Sequence, residues 1–163
     1  LGTIDRCTVH VRKKLEEKGF EVLVFHTLGT GGMALDQFVA ERDSVVAVID
    51  TSVNEHNDFL NNGLTSAGPD RSKAALKKGI PVIFAHGNDE IKVTGPNNVA
   101  RQQFQGHLHD PSLCPVFLDG VKASMPSAVD VAEFDCHIND KQFADALVDE
   151  VVRLVGQQKT TVA

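Results

Sequence analysis

Two short runs concentrate the groups that could do chemistry. In His26-Thr27-Leu28-Gly29-Thr30-Gly31-Gly32-Met33-Ala34, glycines follow an apolar stretch and open a helical pattern. Glycines at a strand-to-helix turn let the backbone approach a phosphate. The helix N-terminus adds unpaired N–H groups and the positive end of its dipole. Gly29, Gly31 and Ala34 satisfy G-x-G-x-x-A, and Asp50 follows about 20 residues on, where a dinucleotide site places its ribose acid. A phosphate-binding turn, a dinucleotide fingerprint and a purely structural tight turn all fit. On the first reading Thr30, Gly31 and Gly32 contact phosphate, and Gly31 leaves room for the ligand. The chain has no G-x-x-x-x-G-K-[ST], which excludes a P-loop.

The second run, Asp50-Thr51-Ser52-Val53-Asn54-Glu55-His56, packs two carboxylates, two hydroxyls and an imidazole together. Such a set suits a ribose, a magnesium ion or a polar substrate. It also reads as a helix start, with Ser52 capping and Glu55 completing a capping box. In Ser66-Ala67-Gly68-Pro69-Asp70-Arg71, Asp70 suits a helix cap and Arg71 could reach a phosphate. His26, Asp89 and His137 are the acid–base candidates, each following an apolar stretch. Asn139 and Gln142 form a second capping pair. His107-Leu108-His109-Asp110 lacks further ligands at a recognised spacing, so no metal site is expected. Cys7, Cys114 and Cys136 show no CxxC spacing and read as reduced thiols of a cytoplasmic protein. Cys7, before a helix, is either a thiol of lowered pKa or a small buried residue.

The elements that must hold these runs follow from periodicity. Helical spacing covers residues 8–18 (Val11, Leu15), 31–42 (Leu35, Phe38, Val39), 71–78, 111–123 and 140–155 (Phe143, Leu147, Val151, Leu154). Apolar, β-branched runs at 20–25, 44–49, 81–85 and 129–134 predict strands, and 86–110 reads as loop. Alternating strands and helices predict an α/β fold: a Rossmann-like three-layer sandwich with a mostly parallel sheet of at least four strands. Ligands of such sheets bind beyond the carboxyl ends of the strands, so Gly31 and Asp50 should share one edge. A length of 163 residues suits one domain, 1–163. A net charge of −6, with no basic cluster denser than Arg12-Lys13-Lys14, speaks against nucleic acid. Apolar runs such as 45–49 are too short to cross a bilayer. A small-molecule partner is expected.

The segments FHTLGTGGMA, SAGPDR, KKGIPVI and CHINDKQFADALVDE resemble the second half of the tomato mosaic virus resistance protein-like family, the Tm-one-like ATP-binding proteins. The D-x-H-I-N-D run at 135–140 is the most specific piece. Gly2-Thr3 and Cys7 match a G-T-T-T-P-C segment of the family, with Ile4-Asp5-Arg6 departing from it. The resemblance implies two Rossmann-like halves, bound ATP with Mg2+, a homo-oligomer and no established reaction. It makes the chain part of a longer two-domain protein, with a strand before Leu1 and several dozen more residues between the segments matched by His109 and Asp110. Three functions are then in view. One is an ATP-binding domain in which Thr30, Gly31 and Gly32 hold phosphate, Asp50, Thr51 and Glu55 serve ribose or Mg2+, and Arg71 supplies a counter-charge. The others are an enzyme for a small polar substrate using His26, His137 and Asp89, and a non-catalytic self-associating scaffold.

Overall fold

Apolar residues three and four apart decide which face each helix buries. A computed structural model describes residues 4–85, 119, 120, 122–124 and 126–161. Helix α1 (Asp5–Glu17) buries Cys7, Val11 and Leu15, one stripe at four-residue spacing. The chain leaves it through Gly19, whose φ of 89° suits only glycine. A second helix, α2 (Thr30–Glu41), buries Val39, with Leu35 and Phe38 half-buried. Strand β1 (Val48–Asp50) is followed by α3 (Asn54–Leu60), α4 (Lys73–Lys77) and β2 (Val82–Phe84). The C-terminal helix α5 (Lys141–Thr161) buries Ala144, Leu147, Val148, Val151 and Val155.

Strands β1 and β2 pair in parallel, with Val48 opposite Val82, Ile49 opposite Ile83 and Asp50 opposite Phe84. Side chains alternate across a strand, and the two faces meet different partners. Ile49 and Ile83 join the cluster built by α1 and α5. Val48 and Val82 join Val39 and Leu35 of α2 and Ala75 of α4. The fold is therefore α/β, with a small parallel sheet carrying an apolar cluster on each face. Among the described residues no helix is long and apolar enough to cross a membrane.

The sheet is smaller than the β-branched runs predict. Residues 20–25 and 44–47 lie outside any strand, and the Phe20 amide instead donates to the Leu15 carbonyl at 3.1 Å. Residues 129–134 form no strand either, and Val129, Val131 and Phe134 are exposed. β-propensity reports fit to a half-buried pleated surface; where no neighbour pairs with the run, no strand results. The chain divides into two units, residues 1–95 with 136–163, and residues 96–135. The described part of the second holds helical residues 119, 120 and 122–124 and a Lys122–Glu133 ion pair at 2.5 Å. The 86–110 loop and most of the 111–123 helix lie outside the described residues.

The expected capping pair at the start of α5 is also not found. Asp140 stands before α5, and its Oδ2 accepts the His137 amide at 2.9 Å. Asn139 reaches across the chain instead, and its Oδ1 accepts the Cys7 amide in the first turn of α1 at 3.2 Å. It thus satisfies a helix-start donor of α1. Asn139→Ala should cost about 1 kcal/mol in urea unfolding, as lost N-terminal caps do. Gln142→Ala should change stability by less than about 0.5 kcal/mol, as exposed positions do.

Candidate functional site

The loop entering α2 turns through Gly29, whose φ of 78° favours glycine, and so presents amides at a helix start. Those amides meet a carboxylate of the protein itself. Glu55 Oε1 accepts the Gly29 amide at 2.7 Å and the Gly32 amide at 3.1 Å. Its Oε2 accepts Arg71 Nε at 2.7 Å. Glu55 is fully buried. A negative group at the positive end of a helix is stabilised by the dipole as well as by the N–H groups. Glu55 therefore takes the place at α2 where the sequence suggests a phosphate. The capping-box reading is overturned: Val53 precedes α3 with no side-chain cap, and Ser52 Oγ bonds Asn54 Oδ1 at 2.6 Å.

Arg71 gathers the surrounding charges. Its Nη2 approaches Asp50 Oδ2 to 2.9 Å, an ionic contact without the alignment of a hydrogen bond. Its Nη1 donates to Ser72 Oγ at 3.0 Å and lies 3.7 Å from Asp36 Oδ2. The Asp36 carboxylate also accepts the Ser72 amide at 3.0 Å, holding Ser72 at a φ of 69°. One guanidinium thus faces three carboxylates. Beside this cluster, Asn54 Nδ2 donates to the Thr27 carbonyl and to Thr65 Oγ1. Asp58 Oδ2 accepts from the amide and hydroxyl of Thr65 at 2.9 and 2.6 Å. Sequence reasoning missed Asp36, Asn54, Asp58, Thr65 and Ser72. Nothing in their spacing marks them, because their partners are brought together only by the fold.

The two helical glycines are explained from inside the protein. A Cβ on Gly31 would lie 1.6 Å from the His26 carbonyl oxygen, and one on Gly32 would lie 2.1 Å from Glu55 Oε2. The space reserved at Gly31 therefore belongs to backbone, and a side chain there would displace the His26 peptide before any ligand. Gly32, Asp50, Thr51 and Arg71, with His26 and Thr27, are among the residues that line a cavity of about 740 Å³. Thr51 is half-buried there, with no partner among the described residues for its hydroxyl. Thr30 is exposed in the first turn of α2, and Glu55 lies behind Gly32. His137 stands apart: its Nδ1 accepts the Asn139 amide at 3.1 Å, a structural use. Asp89 lies outside the described residues. Cys7 is buried, and burial pushes its thiol pKa up, so the blander reading of that residue holds.

His56 is a titratable group that the sequence placed only within a run. Its ring stands edge-on to Phe84 at 5.9 Å, and its Nε2 lies 3.3 Å from Ser72 Oγ. Burial holds its pKa below the usual value, Asp50 and Glu55 oppose that shift, and Arg71 adds to it. The buried Nδ1 has no hydrogen-bond partner among the described residues. A histidine depressed in the folded state binds a proton first when unfolded. Stability should therefore fall as pH drops from about 6.5 toward the folded pKa, and level off below it. His56→Gln should flatten that part of the stability–pH curve relative to the parent, whereas an unchanged slope assigns it to other groups. The glycines make a second test. Gly31→Ala should destabilise by about 3 kcal/mol through overpacking. Gly156→Ala, in open space on α5, should stabilise by up to about 1 kcal/mol through helix propensity. Urea unfolding of the two variants reads both signs.

Comparison with known proteins places the chain in a family. The C-terminal domain of an uncharacterised protein family (UPF0261) matches residues 1–116. A UPF0261 protein of Clostridium tetani is 35% identical over 98 residues, covering 60% of this chain and 24% of the relative. A UPF0261 protein of Brucella suis is 24% identical over 202 residues, covering 90% of this chain and 48% of its own length. The ToMV resistance protein Tm-1 of Solanum lycopersicum is 30% identical over 104 residues, covering 64% of this chain and 14% of that protein. The chain thus spans less than half the length of these relatives. By the extent of the family match, the chain belongs to the UPF0261 family, within its C-terminal domain.

Proposed function

We propose that the chain is a nucleotide-binding domain of the ATP class, built as a Rossmann-like three-layer sandwich with a mostly parallel sheet. One observation carries the reading. Asp50 and Thr51 at the carboxyl end of β1, Arg71, and the His26–Thr27 turn before α2 all line one cavity. That is where parallel sheets take their ligands. The charge balance says which part of a nucleotide meets which group. With three carboxylates around one guanidinium, the cluster favours hydroxyls or a cation over a bare phosphate. The ribose would therefore meet Asp50 and Thr51. Phosphates would lie toward the exposed Thr30 side of α2, with their charge offset mainly by bound Mg2+, because Glu55 already takes the Gly29 and Gly32 amides. Among the described residues no group of three acidic, histidine or cysteine side chains is placed to hold a metal by itself. A magnesium ion would thus draw its ligands mainly from phosphate and water.

A second reading, an enzyme for a small polar substrate, is favoured by the Ser72–His56 contact. Ser72 Oγ accepts from Arg71, which leaves its proton for His56 Nε2 at 3.3 Å, the order of groups in an activated serine. Ser72 is buried, so a substrate would need the α4 entry to open. In the first reading the domain works in the cytoplasm as part of a longer two-domain protein and self-associates through the outer edge of β2, unpaired among the described residues.

Thermal shift and calorimetry test the nucleotide reading. ATP with Mg2+ at a hundred times its Kd should add about 2.7 kcal/mol of stability. Thr51→Val should lower ATP affinity about fivefold, the worth of one hydrogen bond, and leave Tm without ligand nearly unchanged. No stabilisation by ATP, ADP or adenosine, with or without Mg2+, would remove the nucleotide reading.

A further inference from the structure

Most residues that line the cavity are apolar, and some of them are left uncovered. Leu23, Val24 and Val46 line it and remain about half exposed. The rings of the lining are engaged elsewhere. Phe20 packs on the α1/α5 cluster, Phe25 meets the Phe38 ring at 5.9 Å, and the Arg42 guanidinium stands over Phe38 at 5.5 Å. The open apolar surface is therefore chiefly aliphatic. A volume of about 740 Å³, apolar walls and a few polar groups are the ordinary make-up of a small-molecule pocket.

The charges of the lining decide which head group such a ligand carries. They are Asp5, Glu21 and Asp50 against Arg12 and Arg71. Both cations are already held: Arg12 Nε donates to Glu16 Oε1 at 2.8 Å, and Arg71 faces Asp36, Asp50 and Glu55. Asp50 is only 2% exposed, and its Oδ2, in ionic contact with Arg71, has no hydrogen-bond donor among the described residues. Next to it in the chain, Thr51 brings a hydroxyl to the same lining.

We propose that this cavity binds an aliphatic primary amine, with its chain against Leu23, Val24 and Val46 and its ammonium beside Asp50 and Thr51. A carboxylate head would join three carboxylates that share one guanidinium. An ammonium instead adds positive charge where negative charge is in excess. Its three N–H donors serve a hydroxyl and a carboxylate together. The inference rests on the premise of the nucleotide reading that Asp50 and Thr51 face a ligand. It does not need that ligand to be a nucleotide.

Calorimetry with butylamine, hexylamine, octylamine and octanoate at neutral pH tests the proposal, with ATP titrated separately. The amines should bind one to one and tighten about fourfold for each added methylene, the worth of burying one CH₂. Octanoate, with a chain of similar length, should bind at least about tenfold more weakly than octylamine, because only the sign of its head differs. Val46→Thr keeps the side-chain shape at a half-exposed position. It should weaken octylamine about fivefold by setting an unpartnered hydroxyl against the chain. Val9→Thr, on an exposed position of α1 outside the cavity lining, should leave that affinity unchanged. Equal binding of octanoate and octylamine, affinity independent of chain length, or an equal response of the two variants would each overturn the proposal. Binding of ATP without octylamine would overturn it and leave the nucleotide reading standing. Binding of octylamine without ATP would support it and remove the nucleotide reading alone.

Discussion

The structure around the site depends on one buried carboxylate. Among the described residues Glu55 is the largest of the fully buried side chains. Withdrawing such a charge from water costs several kcal/mol, which is recovered only if every lone pair finds a good partner. Glu55 finds them in the Gly29 and Gly32 amides and in Arg71 Nε. These partners come from two parts of the chain: the turn into α2 and the turn into α4. Because the carboxylate accepts from both, it fixes the carboxyl end of β1 against two helix starts. Asn54 and Asp58, on the same short helix, tie Thr27 and Thr65 into the same unit. A seven-residue helix thus acts chiefly through its polar face.

This arrangement explains which parts of the sequence were legible. Helices α1, α2 and α5 carry long stripes whose period survives in any environment, and they stand close to where spacing places them. Asp50 ends β1 as its run suggests, whereas the run before Gly31 forms no strand. Strands were harder to read. Residues 44–47 and 48–50 are equally β-branched, but only 48–50 has β2 beside it. The capping motifs misled for a related reason. Ser52 with Glu55, and Asn139 with Gln142, have the right local spacing, yet Glu55 and Asn139 bond across 26 and 132 residues. Local rules see the nearest donor, whereas the fold offers better ones.

The same geometry changes what the glycines mean. In the sequence they suggest a backbone cleared for phosphate. In the fold Gly32 makes room for the Glu55–Arg71 pair, and Gly31 for the His26 carbonyl. A helix start already holding a carboxylate has less positive potential to offer another anion. On the proposed nucleotide reading, the Arg71 cluster would meet the sugar or cation side of the ligand.

The central claim is that Glu55 and Arg71 act as one unit holding the two helix starts. A double-mutant cycle of Glu55→Gln, Arg71→Met and the double variant, followed by urea unfolding, measures that directly. The account predicts that each single change is costly and that the pair is coupled by at least about 2 kcal/mol, toward the upper end of the range for contacting residues. Single-variant costs that add to within about 0.5 kcal/mol, as for distant independent sites, would contradict it.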